Sequence, residues 1–266
     1  MINVHYAIQT CDVSSYQGQK RYCSDSRTEI TKKCVTSFLN SVKYLENKVP
    51  EFKHNIKFFD DNSTSETKNY LSLLKEKFSS EKISIEIDFL KDQGIAKSIK
   101  NCYNWMADNG THFVYQIQDD YMFMENSLYD TLQFYADLSD DVKTQPILTP
   151  YNDPYIWGAV YRNKPTPRAI FKGRSQYWIQ IYDITCSFVT TVNQFNNHWD
   201  IYEDFFKFIY DDTKKLEADS LNLILTKRGV LGACPISSTA LHMQSEYEKD
   251  PYIDWKLIWD NIKIIE

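Results

Sequence analysis

Three short polar clusters carry residue types that could handle a phosphate or a metal: Thr10-Cys11-Asp12, Asp60-Asp61-Asn62-Ser63 and Gln118-Asp119-Asp120. Adjacent carboxylates repel each other unless a cation neutralises them. A hard divalent ion, Mn2+ or Mg2+, does this and keeps positions open for phosphate oxygens. Such an ion would clamp a diphosphate and take up the charge that develops as a bond to it breaks. A carboxylate such as Asp61 can also accept a hydrogen bond from a nucleobase, which selects bases with a donor there. Other phosphate-binding devices are missing. The chain has no G-x-x-x-x-G-K-[ST] and no G-x-G-x-x-G, and only seven glycines in 266 residues. Diphosphate binding is therefore expected to rely on a metal rather than a glycine-rich cradle. The hydrolase signatures H-E-x-x-H and G-x-S-x-G are absent as well.

The hydrophobic periodicity says how these clusters would be positioned. Val4, Tyr6 and Ile8 alternate along Asn3 to Thr10, which predicts a strand ending at the first cluster. Val35, Phe38, Leu39, Val42 and Leu45 fall at helical spacing, and Pro50 closes that segment. Asn55 to Phe59 predicts a short strand ending at the second cluster. Ser63-x-x-Glu66 has the spacing of a capping box, with Ser63 as cap, before a helix carrying Leu71, Leu74 and Phe78. Ile83, Ile85, Ile87 and Phe89 alternate as a third strand. Gly94 precedes a helix with Ile95, Ile99, Tyr103 and Met106 in phase, and Gly110 stands where a glycine would end it. Phe113 to Ile117 is a fourth strand and delivers the third cluster. The order β-α-β-α-β-α-β implies a largely parallel sheet, whose ligands bind outside the carboxyl ends of the strands. The three clusters should therefore share one rim.

At this point the residues resemble glycosyltransferase family 2, and its bacterial and phage members in particular. The resemblance rests on Thr10, on Phe58-Phe59-Asp60-Asp61-Asn62-Ser63-Thr64, on Gly94 with Ser98 opening a helix, and on Val114 to Tyr121, whose Asp119-Asp120 supplies a D-x-D-type motif. It covers roughly residues 1–125. It implies a GT-A, Rossmann-like α/β fold: a mostly parallel central sheet flanked by helices, with an irregular acceptor-side half. It also implies a nucleotide-diphosphate sugar donor, UDP-sugar favoured, and divalent-metal dependence. By that likeness Asp61 contacts the base, Thr10 lines the nucleoside pocket with Gly94 and Ser98, Asp119 meets the ribose and Asp120 ligates the metal. Gln118 departs from the pattern, standing where many relatives carry an acid. The stretch from Ala233 to His242, and Pro251-Tyr252-Ile253-Asp254-Trp255 after it, also look like segments of that subgroup, and the likeness makes His242 a further metal ligand. Glu217-Ala218-Asp219 resembles the family's acid-x-acid position, with Asp219 the candidate base for an acceptor hydroxyl and Glu217 beside it. Asp183, Asp200 and Asp204 are rivals for that role.

The second half reads as loops and short strands over 143–175, a strand over 183–192, helices over 200–216 and 217–228, and an amphipathic helix over 251–265. Trp157, Tyr161, Tyr177 and Trp178 could stack on an acceptor, and Arg168, Lys172 and Arg174 form a compact basic stretch nearby. The expected organisation is one domain over 1–266, with a nucleotide-sugar half (1–125) and an acceptor half (126–266). The expected acceptor is a glycan or another hydroxyl, with DNA as the alternative for a phage-type base glycosyltransferase. A catalytically silent sugar- or partner-binding module is a further alternative, and a nucleotidyltransferase the nearest enzymatic rival. The net charge of −6 and pI near 5.5 offer no general attraction to nucleic acid or an anionic membrane. None of the six cysteines forms a C-x-x-C pair. No apolar run reaches membrane length and no leader pattern is present, so the chain is expected to be cytoplasmic.

Overall fold

The computed structural model describes residues 1–13, 22–91, 94–152, 168–182, 184, 187–209, 217–243 and 250–265, with the side chains of 95, 141–142, 207–209 and 217–220 excepted. The first half follows the predicted alternation: β1 (Ile2–Thr10), α1 (Arg27–Lys48), β2 (Phe52–Asp61), α2 (Ser65–Phe78), β3 (Ile83–Leu90), α3 (Ile95–Asn109) and β4 (Phe113–Gln118). These four strands are parallel, side by side in the order β3-β2-β1-β4.

The later elements extend the same sheet. They are β5 (Tyr121–Phe123), α4 (Ser127–Val142), β6 (Ile147–Leu148), β7 (Ile170–Lys172), β8 (Tyr177–Ile181), β9 (Phe188–Thr191), α5 (Val192–Asn196), α6 (Trp199–Ile209), α7 (Glu217–Lys227), β10 (Gly232–Pro235), β11 (Ala240–His242) and α8 (Trp255–Asn261). The full order is β3-β2-β1-β4-β9-β6-β10-β8-β7. Within it, β9 and β8 run against the other strands. The two halves of the sequence thus share a mostly parallel α/β sheet.

Alternation along the strands sends side chains to two separate cores. Val4, Tyr6 and Ile8 face α1, α2, α4 and α8, while Ala7, Phe59 and Val114 face α3, α5, α6 and α7. Helix α1 begins well before the apolar stripe because Ser26 caps it, accepting from the Glu29 amide at 3.1 Å. Several sequence expectations need correction. The cap of α2 is Thr64, which accepts from the Thr67 amide, while the Ser63 hydroxyl accepts from the Asp12 amide at 3.1 Å. Gly110 ends α3 with φ −60°, so no left-handed turn requires it. Crowding does: a Cβ there would lie 2.5 Å from the Met106 carbonyl oxygen and 2.7 Å from Val114 Cγ1. Gly94 is the converse, with φ +77° and open space around it. Of the strand expected over 183–192, the described residues form β9, and Val192 already opens α5; residues 183, 185 and 186 lie outside the described residues. The terminal helix is shorter than 251–265, since Asp254 caps it at Leu257 and the preceding turn is held by Asp250. Helix α4 carried no expectation.

Candidate functional site

Strand register gathers the polar clusters. Thr10 lies beside Asp60, Asp61 beside Leu90 and Gln9 beside Gln118, so all four strand ends finish on one rim. Thr10 Oγ1 donates to Asp60 Oδ1 at 3.0 Å, and burial raises the Asp60 carboxyl against the pull of Ser63 and Thr10. Asp61, the next residue, points to the opposite face of the sheet, the side covered by α3, and is buried there. Ser98, on α3, is fully buried and its hydroxyl has no hydrogen-bond partner among the described residues. Gly94 opens that helix without a side-chain cap. Gln118 donates its amide to Gln9 Oε1 at 3.4 Å.

The acid pair is arranged differently from its neighbours. Asp119 is buried against the start of α1. Its Oδ2 accepts from the Cys11 amide and from Thr31 Oγ1, both at 2.9 Å, and its Oδ1 accepts from Arg27 Nη2. Two bonds fill Oδ2, and Oδ1 keeps one further lone pair. Burial raises the Asp119 carboxyl and Asp120 adds to this, while Arg27, Cys11 and Thr31 oppose both. Burial also works against the Arg27 charge, but Asp119 and Asp120 outweigh it and raise its pKa. Arg27 Nη1 lies 3.9 Å from Asp120 Oδ2.

His242 arrives from the far end of the chain through a two-stranded sheet, in which β11 pairs antiparallel with β5 and His242 stands opposite Tyr121. The two rings stack with centroids 4.5 Å apart and planes within 6°. The Met243 amide donates to the Asp120 carbonyl at 2.8 Å. His242 Nε2 is thereby held 3.6 Å from Asp120 Oδ2. Two ligands each about 2.1 Å from one ion can be at most about 4.2 Å apart, so this pair fits a shared dication. Among the described residues no group of three His, Cys, Asp or Glu side chains gathers to hold a metal.

One residue of this rim, Arg27, escaped the sequence reading. Arg27 was legible in principle: Ser26-x-x-Glu29 is a capping box that puts Arg27 in the first helical turn. A cation is disfavoured there by the helix dipole unless an acid meets it. Asp12 was seen only as part of a cluster. It is buried, and accepts from Thr28 Oγ1 (2.8 Å), Thr64 N (2.7 Å), Thr64 Oγ1 (2.6 Å) and Thr67 Oγ1 (2.7 Å). It ties the end of β1 to the starts of both α1 and α2.

Glu217 and Asp219 fall in the first turn of α7, and their side chains lie outside the described residues. Helix α7 ends shortly before β10, a strand parallel to β6. Trp157, Tyr161 and Asp183 lie outside the described residues. Tyr177 is exposed, but Trp178 is a core residue, fully buried and stacked on Phe134 at 4.2 Å. Arg174 donates to Gln133 and Asp137 on α4, at 2.7 and 2.8 Å. Asp200 pairs with Arg228 at 2.5 Å, and Asp204 is exposed on α6.

A mostly parallel α/β sheet with acidic strand ends and helices on both faces defines the GT-A, Rossmann-like class of fold. By sequence, no family profile and no curated protein matches the chain. By structure it is similar to the UTP-bound UGPase from Acinetobacter baumannii, at 10% identity and a TM-score of 0.50, over 99% of this chain and 100% of that one. It is also similar to the UDP-glucose pyrophosphorylase from Acinetobacter baumannii, at 9% identity and a TM-score of 0.51, over 98% and 92%. The galactosyltransferase LgtC, in complex with donor and acceptor sugar analogs, follows at 11% identity and a TM-score of 0.44, over 87% and 73%. At such identities the likeness shows the fold alone. No helix among the described residues is long and apolar enough to cross a membrane.

Proposed function

We propose that the chain is a glycosyltransferase that moves a sugar from a nucleotide-diphosphate donor, UDP-sugar favoured, to an acceptor hydroxyl. The observation that carries this reading is the approach of His242 to Asp120 at the sheet rim, beside the Asp119–Arg27 pair. Such a rim offers ligands for one dication and a fixed positive group, the two things a leaving diphosphate needs. Asp120 and His242 would hold Mn2+ or Mg2+, which when bound neutralises charge on the diphosphate. Asp61, with Gly94 and Ser98 on the α3 side, would form the nucleoside pocket, and Thr10 would line its edge from the strand end beside Asp60. Asp119 would fix Arg27 and the Cys11 amide and offer its remaining lone pair to the ribose. Asp219 would take the acceptor proton, with Glu217 adjacent. The acceptor is a glycan or another hydroxyl, with DNA the alternative.

The fold shared with the two Acinetobacter proteins favours a second reading, nucleotidyl transfer between a nucleoside triphosphate and a sugar phosphate. Against it, residues 9–27 hold one glycine and one lysine, with Arg21 and Arg27, a poor match to a glycine- and lysine-rich phosphate loop. The deciding experiment incubates the protein with manganese and either nucleotide sugars or nucleoside triphosphates plus sugar 1-phosphates. Release of nucleoside diphosphate, abolished in Asp219→Asn with donor binding retained, supports glycosyl transfer. Release of pyrophosphate instead overturns it in favour of the second reading, and turnover of neither by any donor leaves a silent binding module.

A further inference from the structure

The guanidinium of Arg27 is hydrogen-bonded through two of its nitrogens and, among the described residues, unpaired at the third. Its Nε donates to the Cys11 carbonyl at 3.3 Å and its Nη2 to Asp119. Nη1 is buried and has no hydrogen-bond partner among the described residues. Asp120 Oδ2 is 3.9 Å away, within electrostatic attraction but beyond a hydrogen bond. A buried donor without an acceptor is costly, and a charged donor more so. The arrangement is stable because Asp119 and Asp120 hold the cation in place, and it leaves Nη1 without a proton acceptor on the edge facing Asp120. An incoming group that satisfies it must carry an oxygen acceptor. Because the guanidinium is a permanent cation, an anionic oxygen gains most.

We propose that Arg27 Nη1 is a phosphate-binding donor of this site, and that it gives the protein affinity for a diphosphate without any metal ion. The inference rests on the nucleotide-sugar reading and adds to it a metal-independent part of donor binding. Arg27 would bridge two anions, with Nη2 kept on Asp119 and Nη1 turned to the phosphate. Asp119 is then the residue that orients the fork, and Thr31 and the Cys11 amide hold Asp119. A lysine at the same place could reach one anion but could not span both in the fixed geometry of the guanidinium.

The test is titration calorimetry of inorganic pyrophosphate in EDTA, which needs no knowledge of the base or sugar. The wild-type protein should bind, and Arg27→Gln should bind on the order of 10- to 100-fold more weakly, the range for a hydrogen bond to a charged group. Arg27→Lys keeps a charge beside Asp119 and guards against loss of folding in the glutamine variant; it should be weakened as well. A wild-type protein that ignores pyrophosphate in EDTA overturns the inference, as does equal affinity in Arg27→Lys and wild type. Failure of the underlying reading looks different: no nucleotide sugar, with any of the common bases, would bind the wild type in manganese.

Discussion

Asp12→Ala should unfold the rim before it touches any ligand. Of the four groups that donate to this carboxylate, the Thr28 and Thr64 hydroxyls belong to a half-exposed and an exposed residue, so both can turn to water. The Thr67 hydroxyl is fully buried, and the Thr64 amide is fixed at the start of α2. One buried donor left unsatisfied at about 1–3 kcal/mol, with the part-buried Thr64 amide losing its acceptor as well, gives a loss of about 2–4 kcal/mol. Asp12→Asn keeps one acceptor oxygen and should lose about 1–2 kcal/mol, with Thr67→Val close to it. Urea denaturation at pH 7 measures all three. Burial raises the pKa of Asp12, but its hydrogen bonds outweigh this and lower it below the ordinary 3.8. A carboxylate with a depressed pKa contributes stability above its unfolded value and loses it as pH falls through the folded one. The gap between wild type and Asp12→Asn should therefore be full at pH 7 and close only below 3.8. An alanine variant within about 1 kcal/mol of wild type would refute the reasoning, since it would mean that the four donors find other partners at little cost.

Further outcomes follow from the same structure. Burial, helped by Lys82, pushes His54 down to about 4 from 6.5, so the folded ring stays neutral where the unfolded one takes a proton. Stability should fall as pH drops from 6.5 towards 4, by about 3 kcal/mol from this group; in urea melts at pH 7 and 4.5, His54→Gln should lose about 2 kcal/mol less than wild type, and an equal loss would remove His54 as the cause. Gly110→Ala has an acceptable backbone but no room for its methyl, and should lose about 1–3 kcal/mol by overpacking; an unchanged melting temperature would contradict the crowding. Asp120→Ala and His242→Ala should each remove the manganese-dependent gain in nucleotide-sugar affinity; calorimetry showing the gain intact in either would remove that residue from the metal site.

The first half of the fold was open to a sequence reading because its signals are local. Alternating residues in β1 and β3, and the stripe from Val35 to Leu45, record which faces meet the core. The rim residues Asp61 and Asp119-Asp120 were legible because a parallel strand delivers its carboxyl end to one side of the sheet. The tail phrase from Ala233 was legible only as a resemblance. The structure gives part of it a packing role, since Asp250 accepts from the Ser238 and Tyr252 amides and holds the turn beside His242.

The sequence by itself determined which residues alternate, where helices can start, and that the acids fall at strand ends, because these depend on side-chain period and capping chemistry among near neighbours. Tertiary structure alone decided what each acid faces. Asp119 is neutralised by Arg27 from the start of α1, Asp12 joins two helices to β1, and Asp120 meets His242 across the small β5–β11 sheet. Trp178 became core through the packing of β8 on α4. Those pairings join residues far apart in the chain. They depend on register, on which elements lie over which strands, and on desolvation at their contact, and no local pattern of residue types carries that information.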